Sequence, residues 1–241
     1  MTTSRRIFLR NALAVGTAAT VLPSLSACAT SADPKAAGLV ADPHRILDLP
    51  PGMQYSVLTR TGDEMSDGLL EPAAHDGMAA FPVAGDPHRC LLVRNHELDA
   101  SDTGAGGAFG DRFARVGSVD LSRAYDRTPG GLPHLGGTTT LLVNVKTRQV
   151  ERSHLSLAGT MRNCAGGPTP WGSWLSCEET TDLAGGLKQK AHGFVFEVAS
   201  TATGLVQATP LVGLGRFNHE AAAVDPATGI EGVYTYTVEA A

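Results

Sequence analysis

The 241-residue chain is short of most features that would assign it quickly. It has four cysteines, too few for a disulfide-dense scaffold. It has little positive charge, with 19 Lys+Arg against 24 Asp+Glu and a net charge of −5, which excludes nucleic acid as a partner. Its 28 glycines and 14 prolines recur so often that few windows could hold a long amphipathic helix. The apolar stretch from Ala12 to Leu25 is too short to span a bilayer as a mature helix. There is no CxxC pair and no HExxH, so an ordinary zinc site is disfavoured. A Walker-type phosphate loop, a GxSxG elbow and a GxGxxG after a strand are also missing. Gly104-Ala105-Gly106-Gly107 is only a flexible stretch.

What is present begins with an export signal. Ser4-Arg5-Arg6-Ile7-Phe8-Leu9-Arg10 carries the paired arginines of a twin-arginine signal, followed by the apolar run and small residues. Residues 1–27 therefore read as a signal, disordered or helical, handed to the twin-arginine export machinery. Leu25-Ser26-Ala27-Cys28 resembles a lipobox that would anchor the chain to lipid through Cys28. Ala27-Cys28-Ala29 also satisfies the rule for ordinary cleavage. Either way the expected location is periplasmic or cell-surface. The signal takes three arginines and no acid with it, leaving 16 basic residues against 24 acidic and a mature net charge of −8. Residues 28–42 are small, polar and unpatterned, as in a flexible tether.

From residue 43 onward the periodic segments are short and β-branched. Cys90–Arg94, Thr138–Val145, Val150–Leu157 and Trp174–Cys177 read as strands. Phe194–Val198 is expected to pair with Leu205–Leu211, and Ala221–Val224 with Val233–Val238. Hairpins that return about every 40 to 50 residues suggest propeller blades more than a sandwich. Residues 99–135, rich in Gly and Asp, break the pattern and read as a surface or site-capping loop.

Four segments set carboxylates or a thiol beside turn residues at strand ends: Asp76-Gly77-Met78, Arg94-Asn95-His96-Glu97, Asn163-Cys164 with Cys177-Glu178-Glu179, and Arg216-Phe217-Asn218-His219-Glu220. For Asp76-Gly77 the default reading is a turn. Acids beside apolar strands are usually paired or bind a cation. Three cysteines remain without Cys28, an odd number in an oxidising compartment. Cys90 and Cys177, each among apolar neighbours, are either buried or joined in one disulfide, and Cys164 then needs another explanation. Several carboxylates with one thiolate make a mixed donor set, the oxygens suiting Ca²⁺, Mg²⁺ or Mn²⁺ and the sulfur suiting iron, zinc or copper.

The same residues carry a resemblance. DGMAAF (76–81), LLVRNHE (91–97), GGTTTLLV (136–143), NCAGGPTPWGSWLSCEE (163–179), HGFVFEV (192–198) and LGRFNHEAAAVDPATG (214–229) resemble the PhoX-type alkaline phosphatases. The resemblance implies an all-β fold, a six-bladed β-propeller, occupying residues 43–241. It implies a mixed iron and calcium cluster, and hydrolysis of small phosphate monoesters and sometimes diesters. Cys164 would bind iron, and Glu97, Glu178 or Glu179, and Glu220 are the natural further metal ligands. Arg94 and Arg216, beside the ligand motifs, could grip phosphate oxygens, or could form surface salt bridges. Family members are longer, so the resemblance also implies an incomplete propeller and a truncated chain, and the function of the family is a separate matter from the competence of this chain alone. Two readings stay open beside it: a noncatalytic propeller-like binding lipoprotein, and a phosphodiesterase on the same scaffold.

Overall fold

The structure is a computed structural model that describes residues 38–101, 103–227 and 233–236. The signal and most of the tether lie outside the described residues. The chain divides into two units, Met1–Tyr55 and Ser56–Ala241. In the described part of the first, Val40 bridges to Leu49, and the Asp42 carboxylate accepts the backbone N–H groups of His44, Ile46 and Leu47 and the hydroxyl of Tyr55. One short carboxylate thus organises a turn that has few apolar contacts of its own.

Among its described residues the second unit is all-β, its helical content limited to single 3-10 turns. Strands β1 (His75–Val83), β2 (Asp86–His96), β3 (Gly136–Asn144) and β4 (Gln149–Thr160) form a four-stranded antiparallel sheet in chain order. Strands β5 (Asn163–Pro168), β6 (Ser173–Glu178) and β7 (Val195–Ala199) form a second, and β8 (Ala221–Val224) pairs with β9 (Val233–Tyr236). The turns follow from local chemistry. Gly85 takes φ 76 between β1 and β2, and the Asn144 side chain accepts the N–H groups of Lys146 and Thr147 between β3 and β4. Among the described residues no helix is long and apolar enough to cross a membrane.

The first two sheets bury their facing sides against each other. Phe81, Leu91, Val93 and Leu157 meet Trp174, Phe196 and Val198 in one apolar cluster. The first strands of the sheets run side by side, β1 beside β5 and β5 beside β8. Glycine permits this approach: a Cβ on Gly77 would lie 2.6 Å from the Cα of Ala165, and one on Gly167 would lie 1.9 Å from the carbonyl oxygen of Ala222.

Two expectations change. Leu205–Leu211 does not form a strand against β7. It makes only the Phe196–Pro210 bridge and the Leu211 N–H bond to Val195, because Pro210 has no N–H to extend the ladder. The 99–135 segment is a loop, as expected, with 3-10 turns at Asp111–Phe113, Val116–Ser118 and Leu121–Arg123. It does not simply cover the surface, since Phe109, Phe113 and Leu135 pack with Met65, Leu69 and Leu155 in a core of their own.

Candidate metal centre

Strand order brings the singled-out segments to one end of the sheets. Asp76 lies at the start of β1, Cys164 at the start of β5, and Glu220 immediately before β8. Glu97 follows β2 and Glu179 follows β6. Each of the first two sheets therefore offers one donor where its first strand begins and another where its second strand ends. Antiparallel pairing makes those points neighbours.

The side chains converge accordingly. A carboxylate oxygen of Asp76, one of Glu97 and the Cys164 Sγ lie within 4.8 Å of one another. Burial pushes the Cys164 thiol up to about 12, and the negative charges of Asp76, Glu179, Glu97 and Glu220 push the same way. Glu97 is also raised, first by burial and then by Asp76 and Glu179. The described ion pairs set only Arg162 against this charge, its Nε 3.9 Å from Glu97 and a terminal nitrogen 4.0 Å from Glu179. Four carboxylates and a thiol against one guanidinium is a donor set that a polyvalent cation would satisfy, with oxygens for a hard ion and sulfur for a softer one. The residues present therefore fit a mixed metal centre.

Buried groups hold the thiol in place. Asn95, wholly buried, donates its amide to the carbonyl oxygens of Cys164 (2.9 Å) and Ala165 (2.8 Å). Its own oxygen accepts from Trp174 Nε1 and Ser176 Oγ, both at 2.9 Å. From the other side, the Ala165 N–H donates to the carbonyl of Glu220.

Adjacent glutamates separate by role. Glu178 is fully buried, and its two oxygens accept from the N–H groups of Met161, Gly193 and Phe194 and from His192 Nδ1 at 2.7 Å. Those bonds occupy its lone pairs, so Glu178 serves the frame. Glu179, on the opposite face, is the one whose charge reaches Cys164.

The two arginines are also placed differently from an open phosphate grip. Arg94 is buried, donating to Glu71 at 2.5 Å, to Thr59 and to Thr139. Arg216 is exposed, and one terminal nitrogen donates to the carbonyls of Thr181 and His192. Cys90, Cys164 and Cys177 are all free, so the Cys90–Cys177 disulfide does not form, and Cys177 is simply buried.

Two more histidine-carboxylate clusters had no signal in the spacing. Glu71, His75 and His96 meet around the Arg94 ion pair. His96 donates from Nδ1 to the Ala73 carbonyl and accepts the Thr139 hydroxyl at Nε2, and burial pulls it down to about 3, keeping it neutral. Asp126 accepts from His134 and His192 and from the backbone of Gln189 and Lys190, which closes that cluster by hydrogen bonds. Asp76 was within one of the quoted segments, but its Asp-Gly step gave no sign of more than a turn.

The family model for alkaline phosphatase PhoX matches residues 35–237. The chain belongs to the PhoX alkaline phosphatase family. Among solved structures, Pseudomonas fluorescens PhoX in complex with vanadate, a transition state analogue, is similar at 19% identity and a TM-score of 0.42. The similarity covers 67% of this chain and 39% of that one, so the chain spans well under half of that PhoX. A search of curated proteins finds no match.

Proposed function

We propose that the chain supplies the metal centre of an exported alkaline phosphatase that hydrolyses phosphate monoesters. The convergence of Asp76, Glu97 and Cys164 within 4.8 Å carries this reading, together with family membership. Cys164 would hold iron, and Asp76, Glu97, Glu179 and Glu220 would share iron and calcium, by the match of sulfur and oxygen donors to softer and harder ions. When bound, such ions supply the positive charge that polarises a phosphoryl group.

The chain's own residues supply position. Asn95 fixes the carbonyls that flank the thiol, Glu178 fixes the β6 end from which Glu179 projects, and Arg94 balances Glu71 beneath β1 and β2. Arg216 ties the backbone at Thr181 to that at His192. Three successive antiparallel sheets with adjoining first strands support a propeller of the six-bladed kind. The paired arginines support twin-arginine export to the periplasm or cell surface, with Cys28 as a site for lipid or for ordinary cleavage. Small phosphorylated molecules are the substrates in this reading.

The test is p-nitrophenyl phosphate hydrolysis at alkaline pH by the chain loaded with iron and calcium, with ion content counted in parallel. Turnover that chelation abolishes is expected. A folded, metal-replete protein that leaves the ester intact would overturn the proposal.

A further inference from the structure

Resting on that phosphatase reading, we infer that Arg162 is the residue that binds the phosphoryl oxygens of the substrate. It stands against the acidic groups that would hold the ions, and it reaches solvent. Its guanidinium lies between Glu97 and Glu179 at 3.9 and 4.0 Å, on the rim of the cluster formed with Cys164, and its side chain is 44% exposed. Neither distance is a hydrogen bond, and the guanidinium makes none with any described residue. Its donor fork is therefore uncommitted by hydrogen bonds and faces the acids through charge. The other arginines near the ligand motifs are not in this state, since Arg94 is spent on Glu71, Thr59 and Thr139, and Arg216 on two carbonyls.

The backbone shows that this placement is enforced. Arg162 takes φ 47, a left-handed conformation unfavourable for a long side chain. It is held there on both sides: its N–H donates to the Leu98 carbonyl at 2.9 Å, and its carbonyl accepts the Glu179 N–H at 2.8 Å. Its neighbours are fastened too, the Met161 N–H to Glu178 and the Asn163 side chain to Thr160 and Ser176. A residue built only to link β4 to β5 would be better as glycine or asparagine. The same two backbone bonds join the segments that carry Glu97 and Glu179, so the arginine is fixed to the acids that flank it. Guanidinium offers parallel N–H groups that match two oxygens of one phosphoryl group, a geometry that lysine lacks.

The experiment compares Arg162→Asn and Arg162→Lys with the unaltered chain, all loaded with iron and calcium. Asparagine tolerates the left-handed backbone, and lysine keeps the charge without the fork. Ion content is counted, binding of inorganic phosphate is measured by calorimetry, and KM and kcat are determined with p-nitrophenyl phosphate. Expected are unchanged ion content and a loss of phosphate affinity of about 10- to 100-fold in Arg162→Asn, with partial recovery in Arg162→Lys. Phosphate affinity equal to that of the unaltered chain in both variants overturns the assignment. Loss of ions in Arg162→Asn also overturns it, because the guanidinium would then serve the cluster instead. An unaltered, loaded chain that neither binds phosphate nor hydrolyses the ester overturns the phosphatase reading itself.

Discussion

The side-chain amide of Asn95 donates to the carbonyl oxygen of Cys164 at 2.9 Å, so a residue of the first sheet fixes the backbone of the thiol in the second. All four hydrogen-bonding positions of that amide are used, and the residue is wholly buried. Asn95→Ala should leave the indole N–H of Trp174 and two carbonyls without partners. The expected loss is about 2–4 kcal/mol in denaturant unfolding, with lower iron uptake as the Cys164 segment loosens. Unchanged stability would show that water replaces the amide.

Glu178 and Glu179 should respond in opposite ways to the same substitution. Glu178→Gln puts an amide donor against backbone N–H groups in a buried site, and should cost about 3 kcal/mol. Glu179→Gln removes one of the like charges crowding Cys164 and should not destabilise the metal-free fold, yet it should lower ion content. Thermal unfolding and elemental analysis of the two variants separate the roles.

Among the cysteines, Cys164→Ser should abolish iron binding and leave the fold intact, because the side chain is only half-buried and holds up no apolar core. Cys90→Ala should leave iron content unchanged and cost about 1 kcal/mol or less of packing against Leu92, Leu141 and Val143. Equal iron in the two variants would remove Cys164 from the centre.

Much of this was legible beforehand, and the rest was hidden for identifiable reasons. The strand of Thr138–Val145 shows in its β-branched run, and the structure gives β3 at Gly136–Asn144. Alternation says that Glu178 and Glu179 face opposite ways, but the inward one is chosen by His192, fourteen residues further on. Arg94 flanks a promising motif, and its partner Glu71 lies 23 residues earlier with no motif to mark it. Phe109 and Phe113 are buried from within a Gly-rich loop, where no period announces an inward face. Arg162 left no trace, because a positive φ is a property of the fold around it.

Alkaline conditions bear on Tyr125. Its hydroxyl donates to the Ala191 carbonyl at 2.7 Å, and burial, then Glu178 and Asp126, push it up to about 12. The unfolded phenol ionises near 10, so the stabilisation is complete below that pH and is lost as pH rises through the folded value. Stability should therefore fall between about pH 10 and 12, and Tyr125→Phe should flatten that fall. Unfolding midpoints across that range, with phenolate absorbance recorded alongside, give the check.

The glycines of β5 have a consequence for how such proteins can diverge. A methyl group on Gly166 would sit 1.7 Å from the carbonyl oxygen of Leu175, and one on Gly167 would sit 1.9 Å from that of Ala222. Neither position can drift even to alanine without parting the strands on either side. The NCAGG signature by which the sequence can be recognised thus owes its two glycines to lack of room between neighbouring strands.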